Sequence, residues 1–202
     1  MLIGLDFDNT IVSYESALSF LADKTLSLPP EIPRTKLEIR DFLRACGREV
    51  EWTSFQGLLY GPGMEYAKPF EGAIEVLHDL AQLGHHLVIV SHRSPHPYAG
   101  PPFDLHKFAR EWISKNLKGC GLFHDDAVYF LPTKSEKIDA IRRIGSNVFL
   151  DDLPEVLLDE FFPKSAKGIL FDPSSKLGNL PIEHQITSWC ELPTVLRKIT
   201  RV

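Results

Sequence analysis

Two carboxylates stand two residues apart near the start of the chain, Asp6 and Asp8 in LIGLDFDNT, directly after a short apolar run. On a strand, residues i and i+2 share a face. Like charges that close repel unless a cation or a proton lies between them. An Asx-type turn at a strand end is the plain alternative. Other apolar runs also end in polar groups. Ser91, His92 and Arg93 follow LVIV, Thr133 and Lys134 follow VYFLP, and Asp151 and Asp152 close VFLDD. Carboxylates without His or Cys partners suit a hard, oxygen-binding cation, Mg²⁺. A hydroxyl and a lysine suit the non-bridging oxygens of a phosphoryl group. One aspartate can attack phosphorus, and a second can carry the proton.

Such groups act together only if the ends of their strands converge. Leu2–Asp6, His86–Ser91, Ala127–Leu131, Asn147–Asp151 and Lys167–Phe171 are nearly uninterrupted apolar runs. Parallel strands buried on both faces have that pattern. Amphipathic stretches lie between them, at Phe70–Leu83, Asp104–Leu117, Ser135–Ile144 and Pro154–Phe162, and Leu192–Ile199 reads as a closing helix. The alternation predicts an α/β fold with a parallel sheet, whose ligands bind at the carboxyl ends of the strands. Ser13–Lys68 differs. It repeats apolar residues at helical spacing (Ala17, Leu18, Leu21, then Leu37, Ile39, Phe42, Leu43), and a further helix, Glu51–Tyr60, stops at Gly61-Pro62-Gly63. The expected organisation is a catalytic core of residues 1–12 and 69–202 with a helical cap, 13–68, inserted after the first strand.

With 202 residues, 44% of them hydrophobic, and a formal net charge of −5, the chain reads as a soluble globular protein. It lacks a basic run, which argues against a nucleic acid polymer as partner. Local cations must therefore draw in any phosphorylated substrate. Cys46, Cys120 and Cys190 are far apart and lack zinc spacing. Scarce thiols, no signal-like start and no membrane-spanning run predict a cytoplasmic protein that makes no membrane contact. Oligomeric state is not legible.

The set DFDNT, VIVSHR, TKSEKIDAI and VFLDDLPE resembles the four motifs of the haloacid dehalogenase-like (HAD) phosphohydrolase superfamily, in order and across essentially the whole chain. The small cap and the proline-rich loop after the second motif resemble the deoxyribonucleotidase-like branch. SHRSPHPYAGPPFDLHKFA also resembles uncharacterised bacterial HAD proteins, some linked to surface-polysaccharide genes. The resemblance implies a Rossmann-like core and a Mg²⁺-dependent phosphomonoesterase that forms an aspartyl-phosphate. Its substrate would be a small phosphorylated metabolite, with sugar phosphates ranked slightly above nucleoside monophosphates. A phosphomutase with the same nucleophile and a non-catalytic binding or regulatory protein are the alternatives.

Carried over residue by residue, Asp6 is the nucleophile and a metal ligand. Asp8 is the general acid/base and offers the metal its backbone carbonyl. Phe7, Asn9 and Thr10 form the turn that receives the phosphoryl oxygens. Ser91 binds one of those oxygens, with His92 beside it. Arg93 reads more readily as a solvated or structural charge than as a substrate contact. The third-motif lysine falls within TKSEK. Lys134, at the helix start four and seven residues before Ile138 and Ile141, is the assignment, with Lys137 the alternative, expected to be solvated. Asp152 binds the metal directly, and Asp151 lies in the outer shell or binds it through water. Many members carry a further acid four residues after the metal aspartate. Here that position is Val156, with Glu155 one residue earlier. Trp52, Phe55 and Tyr60 read as cap core, and His85, His86 and His124 as structural or surface residues.

Overall fold

The computed structural model describes residues 1–117, 123 and 125–200. Cys120 and His124 lie outside them. The strands are β1 (Leu2–Leu5), β2 (Val12–Ser13), β3 (Lys68–Pro69), β4 (His86–His92), β5 (Val128–Leu131), β6 (Val148–Asp151), β7 (Lys167–Phe171) and β8 (His184–Ile186). The α-helices are α1 (Glu15–Thr25), α2 (Lys36–Ala45), α3 (Glu49–Tyr60), α4 (Ala73–Gln82), α5 (Leu105–Asn116), α6 (Lys134–Ile144), α7 (Pro154–Leu157) and α8 (Leu192–Ile199). The chain divides into two compact units, Met1–Val12, Pro69–Arg93 and Asn116–Val202 in the first, and Ser13–Lys68 with Ser94–Lys115 in the second.

The first unit is an α/β Rossmann-like layer. Its six-stranded sheet runs β5-β4-β1-β6-β7-β8, and every pairing is parallel. β1 is central, with Leu5 in register with Ile89 on one side and Leu150 on the other. Ile138 and Ile141 of α6 and Val156 and Leu157 of α7 bury against Val88, Val90, Phe149 and Leu170. α4 packs on β4 and against α8. The sixth strand, β8, was not expected from the sequence. It has three residues, two of them polar (His184 and Gln185), and offers no apolar run to read. The stretch expected to be helical over Pro154–Phe162 is a single turn, Pro154–Leu157. Asp159 ends it by accepting the Phe161 amide at 3.0 Å, the local competition by which Asp favours turns over helix interiors.

The second unit is helical. α1 buries Ala17, Leu18, Leu21 and Ala22, α2 buries Ile39 and Leu43, and α3 buries Trp52, Phe55 and Leu59. Tyr60 meets Tyr14 edge-on at 4.9 Å. The unit also takes in α5 and the proline-rich loop before it, Ser94–Lys115, which the strand–helix alternation assigned to the core. The reason lies in the packing. Trp112 of α5 donates its indole N–H to the Ala67 carbonyl at 2.9 Å. A Cβ on Gly57 of α3 would lie 2.7 Å from Pro97, so the loop sits directly on that helix.

Gly4 lies at the middle of β1, where a Cβ would come 2.5 Å from the Phe149 ring and 2.8 Å from Ser146 Oγ. The ring is fully buried. Gly4→Ala should therefore cost about 1–3 kcal/mol of stability by overpacking. Urea denaturation of the variant checks this, and an unchanged midpoint would show that the layer can yield.

Candidate active site

The register places the candidate residues. Because Leu5 pairs with Leu150, Asp6 and Asp151 stand side by side one row further on, and the Asp6 amide donates to the Leu150 carbonyl at 2.9 Å. Ser91 ends the buried part of β4, and its Oγ donates to Asp6 Oδ1 at 2.8 Å. After Asp6 the chain folds into a tight turn. The amides of Ile11 and Val12 return to the Phe7 carbonyl, Asp8 bridges to Val12, and Asn9 adopts a left-handed φ of 59°. Asn tolerates that region better than most residues. The Asn9 amide donates to the Val12 carbonyl at 2.9 Å, so it is engaged within the turn. Phe7 is fully buried, edge-on to Phe130 at 5.8 Å. Thr10 donates to Asp152 Oδ1 at 3.3 Å, and its carbonyl accepts the Trp189 indole N–H at 2.9 Å.

The cation in this row is Lys137. Its side chain is 1% exposed, and its Nζ lies 2.7 Å from both Asp6 Oδ1 and Asp151 Oδ2. Lys134, the residue assigned from the sequence, does not join the cluster. Its side chain is 43% exposed and pairs with Asp159 Oδ2 at 2.6 Å. The physical reason is helix register. Thr133 caps α6 by accepting the Glu136 amide, which makes Lys134 the first helical residue and places Lys137 on the buried face with Ile138, Ala140 and Ile141. The signal was present in the sequence, because Lys137 precedes Ala140 and Ile141 by three and four residues, the spacing of one helix face.

The remaining assignments divide. Asp6, Ser91, Asp151 and Asp152 come together, and Asp8 and Thr10 lie beside them in the turn. His92 does not join, because on a strand it faces opposite to Ser91. It is exposed, and its Nε2 meets the Pro132 carbonyl at 2.9 Å. Glu155 contributes its backbone carbonyl to Lys134 at 3.3 Å. Arg93 was read as a loop charge, yet it is 4% exposed and donates from Nη1 to Asp8 Oδ1 at 2.6 Å.

Burial alone would lower the Lys137 ammonium, but the adjoining Asp151 and Asp6 carboxylates outweigh it and hold the group above the ordinary lysine range. Burial pushes the Asp151 carboxyl up to about 7, against the opposing pull of Lys137. Asp152 is also raised, by desolvation first and then by the charges on Asp6 and Asp151. The row is thus short of positive charge.

Asp6, Asp151 and Asp152 each offer an oxygen, and these oxygens lie within 4.8 Å of one another. Ligand oxygens on octahedral Mg²⁺ stand about 3–4 Å apart, from bond lengths near 2.1 Å. Asp151 Oδ2 is buried, with Lys137 Nζ at 2.7 Å as its partner. The all-oxygen donor set of Asp6, Asp151 and Asp152 fits a hard divalent cation.

Two outcomes follow from these charges. Lys137→Met leaves Asp6 and Asp151 without their cation, and in chelator-treated protein it should cost about 3–5 kcal/mol. Lys134→Met removes a half-exposed pair and should cost at most about 1 kcal/mol. Urea denaturation separates the two, and equal costs would contradict the assignment. The second outcome concerns pH. The folded chain keeps a proton on Asp151 up to about 7, whereas the unfolded chain releases it near the ordinary value of about 3.9. The native state therefore binds more protons between those values, and stability is lost as pH rises through them. With chelator present, the melting temperature should fall from about pH 5 to about pH 7, and Asp151→Asn should reduce that slope, leaving the part that the raised Asp152 contributes. A wild-type slope of opposite sign would refute it.

Comparison with known proteins bears on the fold. No family model matches the chain. A Bacillus cereus protein that carries the provisional name of a nucleotidase is 26% identical over 204 aligned positions, covering 98% of this chain and 99% of its own. A "predicted phosphatase" from Clostridium acetobutylicum superposes with a TM-score of 0.62 at 14% identity, covering 100% of this chain and 98% of its own. A HAD-family hydrolase from Deinococcus radiodurans, solved with phosphate and sodium, gives 0.59 at 16% identity over 98% and 96% of the two chains. A Bacillus subtilis HAD-type hydrolase, solved with magnesium and described as showing interdomain movement, gives 0.59 at 16% over 96% and 97%. The chain has the fold of the HAD-superfamily hydrolases.

Proposed function

We propose that the protein is a Mg²⁺-dependent phosphomonoesterase that hydrolyses a small phosphorylated metabolite through an aspartyl-phosphate on Asp6. One observation carries this reading. Ser91 Oγ and Lys137 Nζ both contact the same oxygen of Asp6, Oδ1, and neither engages Oδ2. That is how a carboxylate is oriented for attack by its second oxygen.

In the first step Asp6 Oδ2 forms a bond to phosphorus, and the bond from phosphorus to the leaving oxygen breaks. Asp8 gives its proton to that oxygen. In the second step Asp8, now a carboxylate, takes a proton from water. The water oxygen bonds to phosphorus, and Asp6 is released with inorganic phosphate. Ser91 and Lys137 donate towards the charge that builds on the phosphoryl oxygens. Asp6, Asp151, Asp152 and the Asp8 carbonyl would hold Mg²⁺, which would supply the positive charge that the carboxylate row lacks.

The second unit serves as the cap in this reading. The chain passes from the first unit to the second after Val12 and again after Arg93. The name of the Bacillus cereus relative puts nucleoside monophosphates beside sugar phosphates as first substrates to try. No helix among the described residues is long and apolar enough to cross a membrane. Cys46 and Cys190 are exposed free thiols, which suits the reducing cytoplasm.

The test is phosphate release from p-nitrophenyl phosphate and from panels of both substrate classes. Release should require Mg²⁺ and stop with chelator. Asp6→Asn should abolish turnover, since an amide cannot form the acyl phosphate. Asp8→Asn should slow the second step and let a phosphoenzyme accumulate. Full activity in chelator, or wild-type turnover by Asp6→Asn, would overturn the proposal.

A further inference from the structure

The two carboxylates of the first turn have different cations. Lys137 contacts Asp6, and Arg93 contacts Asp8. We propose that Arg93 is a positioning residue, whose guanidinium holds the Asp8 carboxyl where it can pass its proton to the leaving oxygen and later take one from water. This rests on the phosphatase reading above and adds a residue to it.

Arg93 is anchored along its length. Its backbone amide donates to the Leu131 carbonyl at 2.8 Å, extending the β4–β5 ladder by one residue. Its guanidinium carbon lies 6.0 Å from the centre of the buried Phe7 ring, within reach of a cation–π contact. Its tip meets Asp8 Oδ1 at 2.6 Å, and the Arg93 side chain is 3% exposed against 20% for Asp8. A planar guanidinium fixes direction as well as distance, which an ammonium does not. The buried end of the pair is thus rigid, and the partly open end is the carboxylate that must face a substrate.

Asp8 needs such a holder. It acts in two successive steps on two different oxygens, and a misplacement of about 1 Å in a reacting group can cost about a hundredfold in rate. Its own backbone is fixed by the turn, through the bridge to Val12 and the left-handed Asn9 that follows. Arg93, one residue past the neighbouring strand, contacts its carboxyl and adds a constraint on the side chain. Because the Arg93 side chain is only 3% exposed and its Nη1 is engaged by Asp8, the geometry favours this role over direct capture of the phosphoryl group.

The experiment is a double-mutant cycle on p-nitrophenyl phosphate with Mg²⁺. Arg93→Met should lower kcat by roughly ten- to a hundredfold while KM changes by less than about threefold, and Arg93→Lys should recover part of the loss. In an Asp8→Asn background, with no carboxyl left to place, Arg93→Met should cost less than about twofold further. Melting curves accompany each variant, and if Arg93→Met does not fold the cycle is run with Arg93→Lys. A KM increase matching the kcat loss would make Arg93 a substrate contact and overturn the proposal. The same penalty in both backgrounds would also overturn it, since Arg93 would then act independently of Asp8. A wild-type protein without Mg²⁺-dependent phosphate release would overturn the phosphatase reading and this inference with it, whereas an active wild type with additive penalties overturns the positioning role alone.

Discussion

Three carboxylates at the end of a nearly dry sheet row need a cation, and the fold provides one from a helix. Lys137 reaches Asp6 and Asp151 only because α6 starts where it does. A shift of one residue along α6 would turn the side chain by about 100° and out of the row. Two devices prevent that slip. Thr133 fixes the first turn through its bonds to Glu136, and Ile138 and Ile141 lock the helix against Val88, Val90 and Phe149. The helix cap, the core packing and the charge balance are thus one arrangement.

The close spacing of Asp6 and Asp8 is resolved by the same logic. The chain bends sharply after Asp6, so the two side chains do not share one environment. Each then meets its own donor, one from α6 and one from the end of β4. The turn between them is held from the far end of the chain as well. Trp189 bonds the Thr10 carbonyl, and the Ser188–Glu191 capping box fixes the short helical turn that carries Trp189. Thr10 in turn bonds Asp152. The C-terminal segment therefore helps set the position of Asp152, the carboxylate just past the end of β6.

Much of this was legible in the sequence, because apolar runs and their polar ends are local signals. The five main strands and the residues at their ends, Asp6, Ser91, Asp151 and Asp152, could be read from pattern and family resemblance together. What was misread depended on competing local signals or on contacts between distant segments. Lys137 and Lys134 both stand at helical spacing before apolar residues, Lys137 before Ala140 and Ile141 and Lys134 before Ile138 and Ile141, and the Thr133 cap decides between them. Arg93 looked like a loop charge because nothing local shows that Asp8 lies across from it. β8 has too few apolar residues to announce itself, and α7 stops early because one aspartate side chain competes for a backbone amide. α5 follows a core strand in sequence, and only the Trp112 bond to Ala67 and the fit of Pro97 on Gly57 assign it to the helical unit.

That placement of α5 bears on how the protein could be rebuilt or could have diversified. The helical unit is assembled from two separate stretches of chain, so it is not a cassette that can be lifted out at one pair of joints. Excising residues 13–68 would separate α5, whose Leu105, Ala109, Trp112 and Ile113 are buried, from the helices of its own unit and leave the Trp112 indole without its acceptor. The remainder would carry an apolar helix face open to water, a surface that promotes self-association. Exchange of this unit between relatives therefore requires two coordinated replacements, and the proline-rich loop must travel with the helices it rests on.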